Sequence, residues 1–127
     1  MIELRDLNAH YGKVHVLRGV NLNVQPGEAV ALLGRNGVGK TTTLKTIMGL
    51  VPPTGGSVTF NGQEISSIQP HQVPGTGIGY VPQGRGIFPI LSVEENLFIG
   101  VSKRPPQSVI DYVFDRFPRL YERLKQP

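Results

Sequence analysis

The chain of 127 residues contains no cysteine. Disulfides and thiolate metal sites are therefore excluded, and a reducing compartment is compatible with the composition. It also lacks any long hydrophobic run. Its apolar stretches are a few residues each, far short of the roughly 20 that a membrane-spanning helix needs. Any role at a membrane is expected to pass through a partner, without direct insertion. The opening residues, MIELRDLNAH, are charged by the third position and do not read as a signal peptide. Blocks of five or more basic residues are missing, and aromatics are only 7%. The net charge of +4 permits binding of phosphates or of an acidic surface, but nothing in its distribution points to nucleic acid. There is no internal repeat.

What is present is the material of one modest domain. A chain of this length buries about two-thirds of its unfolded surface, enough for a core. The 16 glycines and 11 prolines are spread between apolar runs and act as turn punctuation. Ile2 to Leu7 and Val14 to Val24 alternate as strands, with Tyr11-Gly12 between them. Ala29 to Leu33 is an unbroken apolar run ending at Gly34, as in a strand buried on both faces of a parallel sheet. Leu44, Ile47 and Met48 fall at helical spacing in KTTTLKTIMGL, a helix stopped by Gly49 and Pro52-Pro53. SVTFNGQEIS reads as a hairpin turning at Asn61-Gly62. Pro70 to Val73 reads as one helical turn, and GIGYVP as a second short buried strand. Ser92 and Glu95 form a capping box. Ile110, Val113, Phe114 and Phe117 line one face of a helix ended by Pro118, and Leu120, Tyr121 and Leu124 suggest one more. The pattern divides the chain into 1–82, mostly strands around one helix, and 83–127, mostly helical.

The stretch GRNGVGKTTT, residues 34–43, matches G-x-x-x-x-G-K-[ST] at Gly34, Gly39, Lys40 and Thr41. Nucleotide phosphates need several backbone N–H donors converging on one point, and only a backbone with little side-chain bulk curls so tightly. The following helix aims its positive end at the same point. Lys40 then reaches the β- and γ-phosphates, and the Thr41 hydroxyl is placed to ligate Mg²⁺. Thr42 adds a hydrogen bond to a nearer phosphate. Asn36 and Gly37, inside the loop, complete the expected nucleotide contacts. An apolar run before the loop and a helix after it supply the context the motif requires. ATP and Mg²⁺ are the expected ligands.

Kinases, GTPases, helicases and transport ATPases all use such a loop. Tyr11 ahead of it, the Asn61-Gly62 hairpin and GYVPQ ending in Gln83 together resemble the nucleotide-binding subunit of ATP-binding cassette (ABC) transporters. The resemblance implies that Tyr11 stacks on adenine and that Gln83 contacts Mg²⁺ and the attacking water, with Lys40 stabilising charge in phosphoryl transfer. LRDLNAHYGKVHVLRGVNLNV and GIGYVPQGRGIFPILSVEENL look like the importer branch for branched-chain amino acids or amides such as urea. Gly86 and Gly75-Thr76-Gly77 depart from the usual pattern. The family's signature sequence, second acidic motif with its catalytic glutamate, and switch histidine are not found in these 127 residues. The expected fold is therefore α/β, a P-loop NTPase core with an antiparallel β part and the beginning of a helical subdomain, a truncated ABC cassette.

The family further implies a second ATP-binding subunit and transmembrane permease subunits as partners. It places the chain in the cytoplasm, peripheral on the inner face of the plasma membrane. The region after Gln83, with Ile87, Phe88 and Ile90, would meet the permease. Two functional classes stay open, the ATPase subunit of an importer and a nucleotide-binding fragment without turnover. A small nucleotide kinase is a weaker alternative.

Overall fold

A computed structural model describes every residue except Val38 and Arg85. The chain forms two compact units, Met1–Tyr80 and Val81–Pro127, described here one at a time.

The first unit is built on an antiparallel sheet of β1 (Ile2–Tyr11), β2 (Val14–Val24), β3 (Pro53–Phe60) and β4 (Gln63–Glu64), in the order β2-β1-β3-β4. Strand β1 is central, with Leu4 opposite Leu22 on one side and Val58 on the other. Leu4, Leu7, Ala9, Leu17 and Val58 reach the core, an irregularity at Asp6 (φ 46°) resetting the alternation between Leu4 and Leu7. The β3–β4 turn is made by Asn61 (φ 48°) and Gly62 (φ 82°). Both are left-handed, as a two-residue type I′ hairpin demands. Ile65 and Val73 close the core from the connecting segments, where Pro70–Gln72 and Pro74–Thr76 form single 3₁₀ turns.

The helix α1 (Lys40–Ile47) packs on the core, with Ile47 and the following Met48 buried as the spacing predicted but Leu44 left out. Its buried residues are Thr42, Thr43, Thr46 and Ile47, whereas Leu44 is 43% exposed. Burying threonine is inexpensive here because the helix satisfies its own hydroxyls. Thr43 Oγ1 donates to the Gly39 carbonyl at 2.9 Å, and Thr46 Oγ1 to that of Thr42 at 2.8 Å.

Two expected strands are absent. Residues 29–33 and 77–82 carry no strand pairing, and Leu33 and Val81 are each 90% exposed. Apolar composition signals that a run belongs inside, but a strand also needs ladder partners on its edges. Among the described residues, none lies alongside either run. The sheet that forms is therefore wholly antiparallel.

The second unit holds α2 (Val93–Phe98), α3 (Gln107–Arg116) and α4 (Pro118–Glu122). The capping box forms as read. Ser92 Oγ accepts from the Glu95 amide at 3.2 Å, and Glu95 Oε2 accepts from the Ser92 amide at 2.8 Å. The chain end folds back on this helix start, with Val93 N–H donating to the Gln126 carbonyl and Lys125 paired with Glu94. Ile110 is buried, and Phe114 packs against Tyr121 with ring centroids 5.4 Å apart.

The box has a pH signature. Hydrogen bonds from the Ser92 backbone, then from its side chain, hold the Glu95 carboxyl below its ordinary range. A depressed carboxyl contributes stability that is present above its unfolded pKa and is lost as pH falls through the folded one. Wild type is therefore expected to be more stable than Glu95→Gln near neutral pH, with the difference shrinking as pH falls below the ordinary carboxylate range. Urea unfolding across that range checks it, and a difference that persists at acid pH contradicts it.

Candidate nucleotide-binding site

The loop at 34–42 leads into α1 through Gly39, which has φ 101° and ψ 1°. A side chain is disfavoured at this position by the left-handed backbone conformation, and one placed there would also press on a leucine side chain. Its Cβ would lie 2.9 Å from Leu17 Cδ2 and 3.5 Å from the Val16 carbonyl. Gly39 is thus where the loop rests directly on β2. Contact with a strand backbone on one side, and a helix starting on the other, fixes the direction in which α1 begins.

Among the described residues no side chain caps this helix start, and its first turn carries no acid. The positive end of the helix is therefore left for an external anion. Lys40, the first helical residue, turns back over the loop. Its Nζ donates to the Gly34 carbonyl at 2.5 Å and to the Arg35 carbonyl at 2.6 Å. The ammonium, the glycine-rich backbone and the helix start are thereby concentrated in a few residues. Asn36 and Gly37 form an exposed turn within the loop, Gly37 at φ 83°.

Thr41 and Thr42, neighbours in sequence, are treated differently by the fold. Thr41 is exposed on the first turn, its hydroxyl available as an oxygen ligand. Thr42 is 8% exposed and sits on the packed face. Among the described residues no group of three His, Cys, Asp or Glu is arranged to hold a metal. Mg²⁺ that arrives with phosphates takes only one or two protein oxygens and keeps its waters. Thr41 fits that limited role.

Tyr11 ends β1 and pairs with Val14 at the tip of the β1–β2 hairpin, 48% exposed. The same hairpin carries Val16 and Leu17, on which Gly39 rests, so one element supports both the tyrosine and the loop. Gln83 belongs to the second unit, where it is exposed in a bend. The motif reading of the sequence missed the stacked pair His10 and His15, one step behind the tip. Their positions either side of a short turn were the available signal.

An anion-directed helix start, a lysine folded over a glycine loop and an aromatic at a neighbouring hairpin tip define a nucleotide-binding domain of the P-loop class. Residues 17–126 match the family model described as ABC transporter. The chain is 37% identical over 129 residues to the high-affinity branched-chain amino acid transport ATP-binding protein BraG of Pseudomonas aeruginosa. That alignment covers 99% of this chain and 55% of that protein. It is 40% identical to "Probable branched-chain amino acid transport ATP-binding protein LivF" of Archaeoglobus fulgidus, with the same coverage. A solved structure, an ATP-binding subunit of an ABC transporter, superposes with a TM-score of 0.78 at 31% identity. It matches over 98% of this chain and 52% of its own. The chain belongs to the ABC transporter ATP-binding family, and it spans about half the length of the relatives it matches.

The Gly39 contact carries a stability prediction. Gly39→Ala is expected to cost about 1–2 kcal/mol from its left-handed backbone alone. Urea unfolding of the two proteins measures it, and a change within error of zero would show that the loop relaxes freely off β2.

Proposed function

We propose that this chain grips ATP as the nucleotide-binding part of an ABC importer subunit, with branched-chain amino acids as the transported class. The observation that carries the nucleotide reading is the loop from Gly34 to Lys40, with its ammonium turned over the glycine backbone at the uncapped start of α1. In this reading Gly34, Asn36, Gly37 and Gly39 supply backbone to the phosphates, Lys40 supplies charge and Thr42 adds a contact. Tyr11 stacks on adenine. Thr41 would hold Mg²⁺, a role the family resemblance also gives Gln83, and the ion would supply charge to neutralise the phosphates. The substrate class rests on the names of the similar importer proteins from two organisms. Urea or amides are the other transported class within the same reading.

The whole cassette would hydrolyse ATP by in-line attack of water on the γ-phosphate, Gln83 positioning the water and Lys40 stabilising the charge. Partners would be a second ATP-binding subunit and transmembrane permease subunits, with residues 1–82 as the nucleotide core and 83–127 facing the permease. Among the described residues no helix is long and apolar enough to cross a membrane. The proposed site of action is the cytoplasmic face of the membrane, reached through the permease.

Titration of ATP against wild type, Lys40→Ala, Tyr11→Ala and Tyr11→Phe tests the grip. Loss of the lysine removes a charged hydrogen bond and is expected to weaken binding about ten- to a hundredfold. Tyr11→Ala is expected to weaken it about tenfold, and Tyr11→Phe hardly at all, because the ring makes the stack. Equal affinity of wild type and Lys40→Ala would sink the phosphate role.

A second reading, nucleotide binding without turnover, applies to these 127 residues taken alone. They contain no apolar run ending in an Asp-Glu pair to hold the metal and activate water. Purified 1–127 is expected to release no phosphate from ATP. Sustained Mg²⁺-dependent release that disappears in Lys40→Ala would reveal a catalytic base among the residues present.

A further inference from the structure

The hairpin tip that carries Tyr11 is set apart from the rest of the sheet. Ala9 pairs with Leu17, but the next pair is His10 with His15, so β2 has one extra residue at this point, a β-bulge. The β1–β3 ladder has already ended at Ala9 and Pro53. Beyond the bulge only two pairs remain, His10 with His15 and Tyr11 with Val14. A short two-stranded extension of this kind has little to hold its orientation.

Side chains tie it down. The His10 and His15 rings stack across the strands with centroids 4.1 Å apart and planes 14° from parallel. His10 Nδ1 lies 2.7 Å from Thr54 Oγ1, which joins the tip to β3 past the end of the ladder. His15 Nε2 lies 2.9 Å from Asn8 Oδ1, which joins it to β1 behind the bulge. Asn8 Oδ1 also accepts from the Gly19 amide at 3.1 Å, so His15 Nε2 is the donor in its own contact. Asn8 is itself fixed, its Nδ2 donating to the Asp6 carbonyl. Alternation along β1 puts Tyr11 on the opposite face from His10, so the histidines hold the tip without occupying the ground in front of the tyrosine.

We propose that His10 and His15 are positioning residues, a cross-strand clamp that sets the attitude of Tyr11 for stacking on a nucleotide base. The inference rests on the reading of Tyr11 as the adenine platform. Without the clamp the tip samples orientations that do not stack, and base affinity falls in proportion to the fraction of time Tyr11 spends in place.

The test compares two ligands of the full chain by calorimetry, ATP and inorganic tripolyphosphate, which has no base. His15→Ala is expected to weaken ATP about three- to fivefold and to leave tripolyphosphate unchanged. Thr54→Val, which removes only the His10 tie and keeps the side-chain shape, is expected to give the same split with a smaller factor. In a Tyr11→Ala background, His15→Ala is expected to weaken ATP no further. Equal losses for both ligands would show a purely structural role and overturn the clamp. So would an unchanged ATP affinity in His15→Ala when Tyr11→Ala alone weakens it. An ATP affinity unmoved by Tyr11→Ala would remove the adenine reading itself, and the clamp with it.

Discussion

The site depends on one close approach, the seating of Gly39 against Leu17 and the Val16 carbonyl. It brings together the start of α1 and the β1–β2 hairpin, the two parts to which the proposed function assigns the phosphates and the base. The left-handed Gly39 turns the chain into α1 at the point where it meets β2, so the direction of α1 and the placement of Lys40 follow from that contact. The left-handed backbone there is the conformation that glycine adopts most readily.

The packed face of α1 extends the same logic. A helix that buries three threonines gains less from the hydrophobic effect than one burying leucines. It is left with hydroxyls whose partners lie within the helix itself. Leu44 meanwhile stays 43% exposed, and Val30 and Leu33, in a run that forms no strand, are exposed as well. The first unit is thus an antiparallel sheet with a single helix against it, carrying apolar surface that its own core does not use.

Features governed by local chemistry were readable in the sequence. The Asn61-Gly62 turn, the Ser92–Glu95 box, the stop of α3 before Pro118 and the glycine loop each rest on residues whose conformational preferences decide the outcome within a few positions. Features governed by partners were not. Ala29 to Leu33 has the composition of a buried strand, but a ladder is made by neighbours, and composition does not report them. Helical spacing pointed to Leu44, Ile47 and Met48 as core, and Ile47 and Met48 are buried whereas Leu44 is not, because the threonines of α1 take part of its packed face. The His10–His15 pair escaped too, since the bulge that aligns the two rings is a property of the paired strands. Of the site, the loop and the tip tyrosine could be named from sequence, and the support beneath them could not.

The central claim is that the loop and the hairpin tip act as one nucleotide grip. Backbone amide NMR of the chain titrated with Mg²⁺ and ATP tests it most directly. The account predicts that the largest shifts fall on the amides of Gly37 and Gly39 to Thr42, with a second group at Tyr11 and Gly12, both saturating along a single curve. Shifts confined to other surfaces, or loop and tip shifts that saturate at different ATP concentrations, would contradict it.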